Sequence, residues 1–102
     1  MSESYNKLVR DKILQILDSK GVKYERREAS PEEYKAELIK KLKEEIKKFV
    51  EAGSAEELAD VMEVVEALKV LPEYQNAEDI RKKKFDERGG FQDRIILKGE
   101  KV

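Results

Sequence analysis

The chain has 102 residues, of which 44% are charged, and its 22 basic and 23 acidic residues give a net charge of −1. This length supports a single domain, residues 1–102, with a modest core, and the balanced charge argues against binding to a nucleic-acid polymer. The sequence contains no cysteine and no histidine, which excludes disulfides, zinc-thiolate sites and histidine-based metal sites or general bases.

The sequence has no apolar run of the ~20 residues that a membrane span requires, and no apolar signal-peptide segment follows Met1. These absences predict a cytoplasmic protein with no membrane partner. Because cysteine and histidine are absent, any chemistry is expected to use carboxylates, lysine, arginine, tyrosine, serine or backbone groups.

The first predicted helix runs from about Asn6 to Lys20 and ends at Gly21. Its apolar residues recur at roughly helical spacing: Leu8, Val9, Ile13, Ile16 and Leu17. The following segment, 22–28, alternates weakly between polar and apolar residues and could form a short extended piece.

The second predicted helix is long and covers roughly residues 31–52. Ser30 is its N-cap, Pro31 suits its first position, Glu33 completes a capping box, and Gly53 ends the helix. The predicted buried stripe consists of Tyr34, Leu38, Leu42, Ile46 and Phe49.

The third predicted helix starts again almost at once. Ser54 is its cap, Glu57 takes the capping-box position, and Pro72 marks its end. Its predicted apolar face consists of Leu58, Val61, Met62, Val65 and Leu68. A two-residue break between two long amphipathic helices predicts an antiparallel hairpin.

A fourth helix is expected after Asn76 as its cap, and Gly89-Gly90 should stop it. The apolar, β-branched tail 91–98 could pair with 22–28 as a short β ladder. The predicted fold class is therefore all-α, an antiparallel helical hairpin or bundle, with this β pairing as a further possibility.

Three carboxylates are expected to converge inside the hairpin. Glu45 lies about 60° from Leu42, the centre of the apolar face of the second helix. Glu57 and Asp60 are an i, i+3 pair on one flank of the third helix, beside the middle of the second. Carboxylates brought together away from water require a cation, and oxygen ligands alone favour Mg²⁺, with Mn²⁺ as the second choice.

Each carboxylate also has a purely structural interpretation. Glu57 could complete the capping box with Ser54, and Asp60 could favour the positive end of its helix. Glu45 could be a boundary residue paired with a lysine.

Four blocks of the sequence, taken in order, resemble the MazG-like all-α nucleoside triphosphate pyrophosphohydrolases, which include the phosphoribosyl-ATP pyrophosphohydrolases. That superfamily carries E-E-x-x-E on one helix and E-x-x-D on the next. "EEIKK" (44–48) matches the first motif in part and "ELAD" (57–60) matches the second fully. "KLVRDKI" (7–13) and "ERGGF" (87–91) resemble flanking blocks of a small single-domain subgroup.

The resemblance implies that Glu45, Glu57 and Asp60 hold Mg²⁺ and that Glu44 contacts the metal or the attacking water as a candidate catalytic residue. Two positions depart from the family pattern. Lys48 stands where the third acid of the first motif is expected, and Leu14 stands where the subgroup commonly has proline.

The implied activity is hydrolysis of a nucleoside triphosphate to the monophosphate and pyrophosphate, which clears non-standard nucleotides. Basic side chains are expected to bind the phosphates: Lys7, Arg10, Lys12, Lys48, Lys84 and Arg88. Tyr5 and Phe91 could stack on a base, although core packing is the favoured interpretation of Phe91.

We expect a homodimer or higher homo-oligomer, because so few amphipathic helices leave apolar surface exposed.

Two other functions stay open at this point. The chain could be a non-catalytic nucleotide-binding helical dimer that has lost one metal carboxylate, or a purely structural helical dimer.

Overall fold

The structure, a computed structural model, describes residues 6–100, and these residues form four α-helices and no β-strand. Helix α1 spans Ile13–Ser19, α2 spans Pro31–Ala52, α3 spans Ala55–Val70 and α4 spans Ala77–Arg88. A 3-10 turn at Pro72–Tyr74 connects α3 to α4. The predicted all-α class is confirmed. Within residues 6–100, no helix is both long enough and apolar enough to cross a membrane.

The predicted antiparallel hairpin is confirmed as the packing of α2 against α3. The Ser30 Oγ accepts a hydrogen bond from the Glu33 N–H at 3.2 Å, and the Ser54 Oγ accepts one from the Glu57 N–H at 3.3 Å. Gly53 adopts a left-handed φ of 65°, which ends α2 at little steric cost. These caps place the two helices two residues apart and so fix the hairpin.

The predicted apolar face of α3 is only partly confirmed: Val61 and Leu68 are half-buried, but the centre of the buried side is rotated by roughly 80° about the helix axis from the predicted centre. Among the described residues, the buried apolar side chains are Leu38 of α2 and Val64 of α3, at 4% and 8% exposure. Leu58, Met62 and Val65 are exposed instead. The helix turns Glu57 and Asp60 towards α2, and this carries the three apolar side chains outwards.

The stripe predicted for α2 is largely confirmed. Leu38 is buried, and Tyr34, Leu42 and Phe49 are half-buried. Ile46 is the exception, because it lies on the flank of the helix and is exposed.

The predicted first helix is too long at its N-terminal end, because α1 begins at Ile13 rather than near Asn6. Its N-cap, Lys12, makes no capping hydrogen bond. The preceding residues lie against the hairpin instead, where Arg10 forms an ion pair with Asp60. Gly21, with a φ of 68°, follows the end of α1, as predicted.

The β ladder expected between 22–28 and 91–98 is absent from the described chain. Side-chain contacts hold the first segment against its neighbours: the Tyr24 hydroxyl donates to Asp18 at 2.8 Å, and Arg27 makes a bidentate pair with Glu33 at 2.6 and 2.7 Å.

The tail 91–98 has no such contacts, and Phe91 is 96% exposed rather than packed in the core. Helix α4 begins directly after Asn76 and ends directly before Gly89, as predicted, although the Asn76 side chain accepts no hydrogen bond at the start of the helix.

The fold is extended for its length. Its radius of gyration is 18.4 Å, whereas a compact domain of this size has about 13 Å. Helix α4 is mostly exposed and is linked to α3 by an ion pair between Lys69 and Glu78 at 3.4 Å. The hairpin is thus the structural centre of the molecule, and α4 and the tail lie at its periphery.

Candidate metal centre

Glu45 is the buried carboxylate at the middle of the hairpin, with 4% of its surface exposed. Its Oε1 lies 3.3 Å from the Lys41 Nζ and 3.6 Å from the Lys48 Nζ, one helical turn away on either side. Its Oε2 is buried with no hydrogen-bond partner. Burying an unsatisfied carboxylate oxygen is costly, so this atom requires a partner that the described chain does not supply.

Glu57 and Asp60 approach Glu45 from the first two turns of α3. One carboxylate oxygen from each of the three residues lies within 4.8 Å of the others. The sequence-based prediction that these side chains converge agrees with this geometry.

The capping interpretation of Glu57 accounts for its backbone but not for its side chain. Its N–H donates to Ser54, which is one half of a capping box. Among the described residues, the Glu57 carboxylate makes no hydrogen bond or ion pair, so the second half of the box is not formed. The carboxylate is therefore available to a cation.

Arg10 closes one side of the cluster. Its Nη2 donates to the Asp60 Oδ1 at 2.7 Å, which brings the N-terminal segment across the hairpin. The segment and the hairpin enclose a groove of about 700 Å³, whose lining includes Lys7, Lys41 and Glu45. Small-molecule sites commonly have volumes of this order.

Glu44 lies next to the cluster and is paired with two lysines, Lys41 at 3.8 Å and Lys48 at 3.4 Å. Partial burial raises its pKa, but the charges of Lys41, Lys48 and Lys7 outweigh this effect and lower the pKa below its ordinary value. The pKa of Lys48 is raised, mainly by the negative charge of Glu45 and then by its hydrogen bond to Glu44. Both groups are therefore fully ionised near neutral pH.

The structure does not bring all the predicted phosphate-binding residues to the cluster. Lys7, Arg10 and Lys48 lie beside it. Lys12 precedes α1 as an exposed residue, and Lys84 and Arg88 lie on α4; none of these three lines the groove. Tyr5 lies outside the described residues.

Lys41 is the residue that the sequence-based reasoning missed. It contacts both Glu44 and Glu45. Its spacing of three and four residues before these two acids is the signal that could have identified it, since side chains at those spacings meet on a helix.

Fold and site together define an all-α protein built on a helical hairpin, with an acidic cluster formed by the buried Glu45 and the half-buried Glu57 and Asp60. No protein-family model matches the chain, and no match is found among the curated proteins or the solved structures.

Proposed function

We propose that this chain is a Mg²⁺-dependent nucleoside triphosphate pyrophosphohydrolase. The observation that carries the proposal is the buried Glu45 carboxylate, with its unpartnered Oε2, beside Glu57 and Asp60. The motif resemblance described above supplies the reaction, and the groove beside the cluster provides space for part of a nucleotide.

The three acids offer the type of ligand atom that Mg²⁺ binds, and the distances between their oxygens are close to those that the ion requires. All three side chains offer carboxylate oxygens, the ligands that Mg²⁺ prefers. Oxygens bound to one Mg²⁺ lie about 2.9 Å apart on adjacent sides and about 4.2 Å apart on opposite sides, so carboxylates within 4.8 Å of one another would close around the ion by moving together about 1–2 Å. Mn²⁺ would suit the same ligands.

Glu45, Glu57 and Asp60 would hold the ion, which when bound would neutralise charge on the phosphate oxygens. The reaction is attack of water on the α-phosphorus: a new P–O bond forms, the α–β anhydride bond breaks, pyrophosphate leaves, and the proton lost by the water passes to solvent. Arg10 and Lys7, which line the groove, would bind phosphate oxygens there. Glu44, ionised and half-exposed, would accept a hydrogen bond from the attacking water and orient it.

Lys48 occupies the position at which the family carries a third acid. Its ammonium is within ion-pair distance of Glu44 and Glu45. A protonated lysine cannot bind a metal ion, so its role in this proposal is to reduce the negative charge around the cluster.

A second candidate function is non-catalytic nucleotide binding. It is favoured by the ion pairs of the cluster, which already offset much of its negative charge: Lys41 and Lys48 with Glu45, and Arg10 with Asp60. Such a chain would bind nucleotide through its basic groups without hydrolysing it.

Pyrophosphate release separates the two functions. The chain should be assayed with Mg²⁺ against canonical and damaged nucleoside triphosphates, beside Glu57→Gln and the matched control Glu56→Gln, whose side chain is exposed on the same helix. Release by the parent and by Glu56→Gln, but not by Glu57→Gln, supports the enzyme. Nucleotide-induced thermal stabilisation without release supports the binding module.

A further inference from the structure

The groove between the N-terminal segment and the hairpin changes in chemical character along its length. Its charged end lies at the acidic cluster, where Lys41 pairs with Glu45 and Arg10 pairs with Asp60. Its other end, which we call the apolar end, is lined by three aliphatic side chains and one tyrosine: Tyr34, Leu38, Val64 and Ala67. One groove of about 700 Å³ therefore joins two chemically different ends.

The two helices of the hairpin produce this change independently. On α2, the side chains that line the groove follow one another at intervals of a single helix face: Tyr34, Leu38, Lys41 and Glu45. On α3, the corresponding series is Asp60, Val64 and Ala67. Because the helices are antiparallel and Glu45 meets Asp60, both series become apolar in the same direction, away from the turn between the helices.

The apolar end lies one nucleoside length from the acidic cluster. Leu38 is about 10 Å from Glu45 along the axis of α2, and Val64 is about 6 Å from Asp60 along the axis of α3. Phosphate oxygens require the basic groups of the charged end, whereas a base packs on apolar and aromatic surface. A nucleotide therefore fits the groove in one direction.

The walls of the apolar end offer few hydrogen bonds to the edge of a base. Leu38 and Val64 are buried hydrocarbon side chains. Among the described residues that line this end, the polar side chains are Tyr34 and, on the rim, the exposed Glu63 and Glu66. Water competes for the oxygens of both glutamates, so the apolar end is suited to the faces and shape of a base.

We propose that the nucleotide lies with its phosphates at the acidic cluster and its base in the apolar end, where packing rather than hydrogen bonding recognises it. This inference rests on the proposed function and adds the substrate class: nucleoside triphosphates with either a purine or a pyrimidine, including bases whose edges are chemically altered. Pockets that recognise by packing discriminate by about 10–200-fold, whereas pockets that hydrogen-bond the ligand reject its analogues by about 10⁴–10⁵-fold.

Binding of nucleoside monophosphates tests the inference without requiring turnover. AMP, GMP, CMP and UMP should be titrated calorimetrically into the parent with Mg²⁺, beside ribose 5-phosphate, which lacks the base. Each monophosphate should bind at least about fivefold more tightly than ribose 5-phosphate, and the four should agree within about 200-fold. Ribose 5-phosphate binding as tightly as AMP, or a preference for one base above about 10³-fold, overturns the inference.

Two variants of Tyr34 separate packing from hydrogen bonding. Tyr34→Phe keeps the ring and should leave AMP affinity within about threefold of the parent, because it removes at most one neutral hydrogen bond. Tyr34→Ser keeps a hydroxyl and removes the ring, so it should weaken AMP binding by about fivefold or more. Tyr34→Phe binding AMP as weakly as Tyr34→Ser, with Mg²⁺ affinity unchanged in both, overturns recognition by packing.

Filling the apolar end tests the position of the base. Ala67→Leu adds bulk inside the groove and should weaken AMP binding at least about fivefold, while ribose 5-phosphate and Mg²⁺ bind as in the parent. The matched control is Ala36→Leu, because Ala36 is exposed on α2 and lies outside the groove. Equal AMP affinities of the two variants overturn the position assigned to the base.

The outcomes separate this inference from the proposed function. Pyrophosphate release without the expected binding pattern overturns the inference and leaves the enzyme standing. The expected pattern without pyrophosphate release supports the inference and assigns the groove to the non-catalytic binding module. If no nucleotide binds with or without Mg²⁺, both are overturned.

Discussion

Arg10 and Asp60 are fifty positions apart in the sequence and are joined by a hydrogen bond of 2.7 Å. Asp60 is one of the three acids proposed to hold Mg²⁺, and Arg10 is one of the groups proposed to bind phosphate. Their ion pair therefore competes with both ligands. Metal binding at Asp60 would release Arg10 towards the phosphates, so the two ligands are expected to favour each other's binding.

The first prediction concerns this pair. Arg10→Gln should tighten Mg²⁺ binding in the absence of nucleotide by a factor of about 1.4 to 5, since exposed ion pairs are worth roughly 0.2–1 kcal/mol. The same variant should weaken nucleotide binding. Calorimetric titration of each ligand measures both effects.

Arg26→Gln is the control, because its nearest acid is the exposed Glu28 at 3.9 Å. Unchanged Mg²⁺ affinity in Arg10→Gln would contradict competition at Asp60.

The second prediction concerns the acidic cluster itself. Glu57→Gln and Asp60→Asn should abolish Mg²⁺-dependent pyrophosphate release. Without metal, Glu57→Gln should raise the melting temperature, because it removes one of three converging charges. A gain on the order of 1 kcal/mol corresponds to roughly 4–8 °C. Scanning calorimetry with and without Mg²⁺ measures the shift, and normal turnover in both variants would place the active site elsewhere.

The third prediction concerns Lys48. Lys48→Glu should tighten Mg²⁺ binding and raise pyrophosphohydrolase activity, because it restores an acid beside Glu45 and removes a competing ammonium 3.6 Å away. Lys48→Ala should have little effect on the Mg²⁺ affinity or on the activity. Lys47→Glu serves as the control for added negative charge, since Lys47 is exposed and makes no ion pair among the described residues.

The competing hypothesis is that Lys48 holds the triphosphate. It predicts weaker nucleotide binding in Lys48→Glu and slower turnover in Lys48→Ala. Measured nucleotide affinities of both variants decide between the two.

The fourth prediction concerns pH and the attachment of α4. Hydrogen bonds from Arg81 and Lys69 outweigh partial desolvation and lower the pKa of Glu78 from 4.5 to about 2. Because the pKa is lower in the folded state, this carboxylate stabilises the fold above pH 4.5 and loses that contribution as the pH falls towards 2. An NMR titration of the Glu78 side chain should give a midpoint near 2. In the Glu78→Gln variant, the stability of α4 should vary less over this pH range. A midpoint near 4.5 for Glu78 in the parent would contradict its hydrogen bonds with Arg81 and Lys69.

The sequence predicts α2 well because its end signals are local. Ser30, Pro31 and Gly53 act through their own backbone and side-chain geometry, and α2 begins and ends where they indicate. The rotation of α3 could not be predicted in the same way. That helix has apolar residues on several sides, including Leu58, Val64 and Val65, so its stripe is ambiguous. The contact with α2 decides which side is buried, and it selects Val64 together with the acids.

The same limit applies to the site. Glu45, Glu57 and Asp60 could be placed together because helical spacing and a short turn suffice to locate them. Lys84 and Arg88 were assigned through the resemblance alone, and the described fold keeps them on α4, away from the groove. Their approach to a nucleotide depends on how α4 packs, which spacing along one helix does not determine.

The short turn at Gly53 and Ser54 also has a kinetic consequence. All three acids of the cluster lie between positions 45 and 60, on either side of that turn. Contacts so close in sequence form early in folding, because little loop entropy is lost in closing them. Repulsion among the acids therefore acts on the folding transition state itself. A divalent cation that binds the closed turn should accelerate folding, whereas the stability contributed by α4 should appear mainly as slower unfolding.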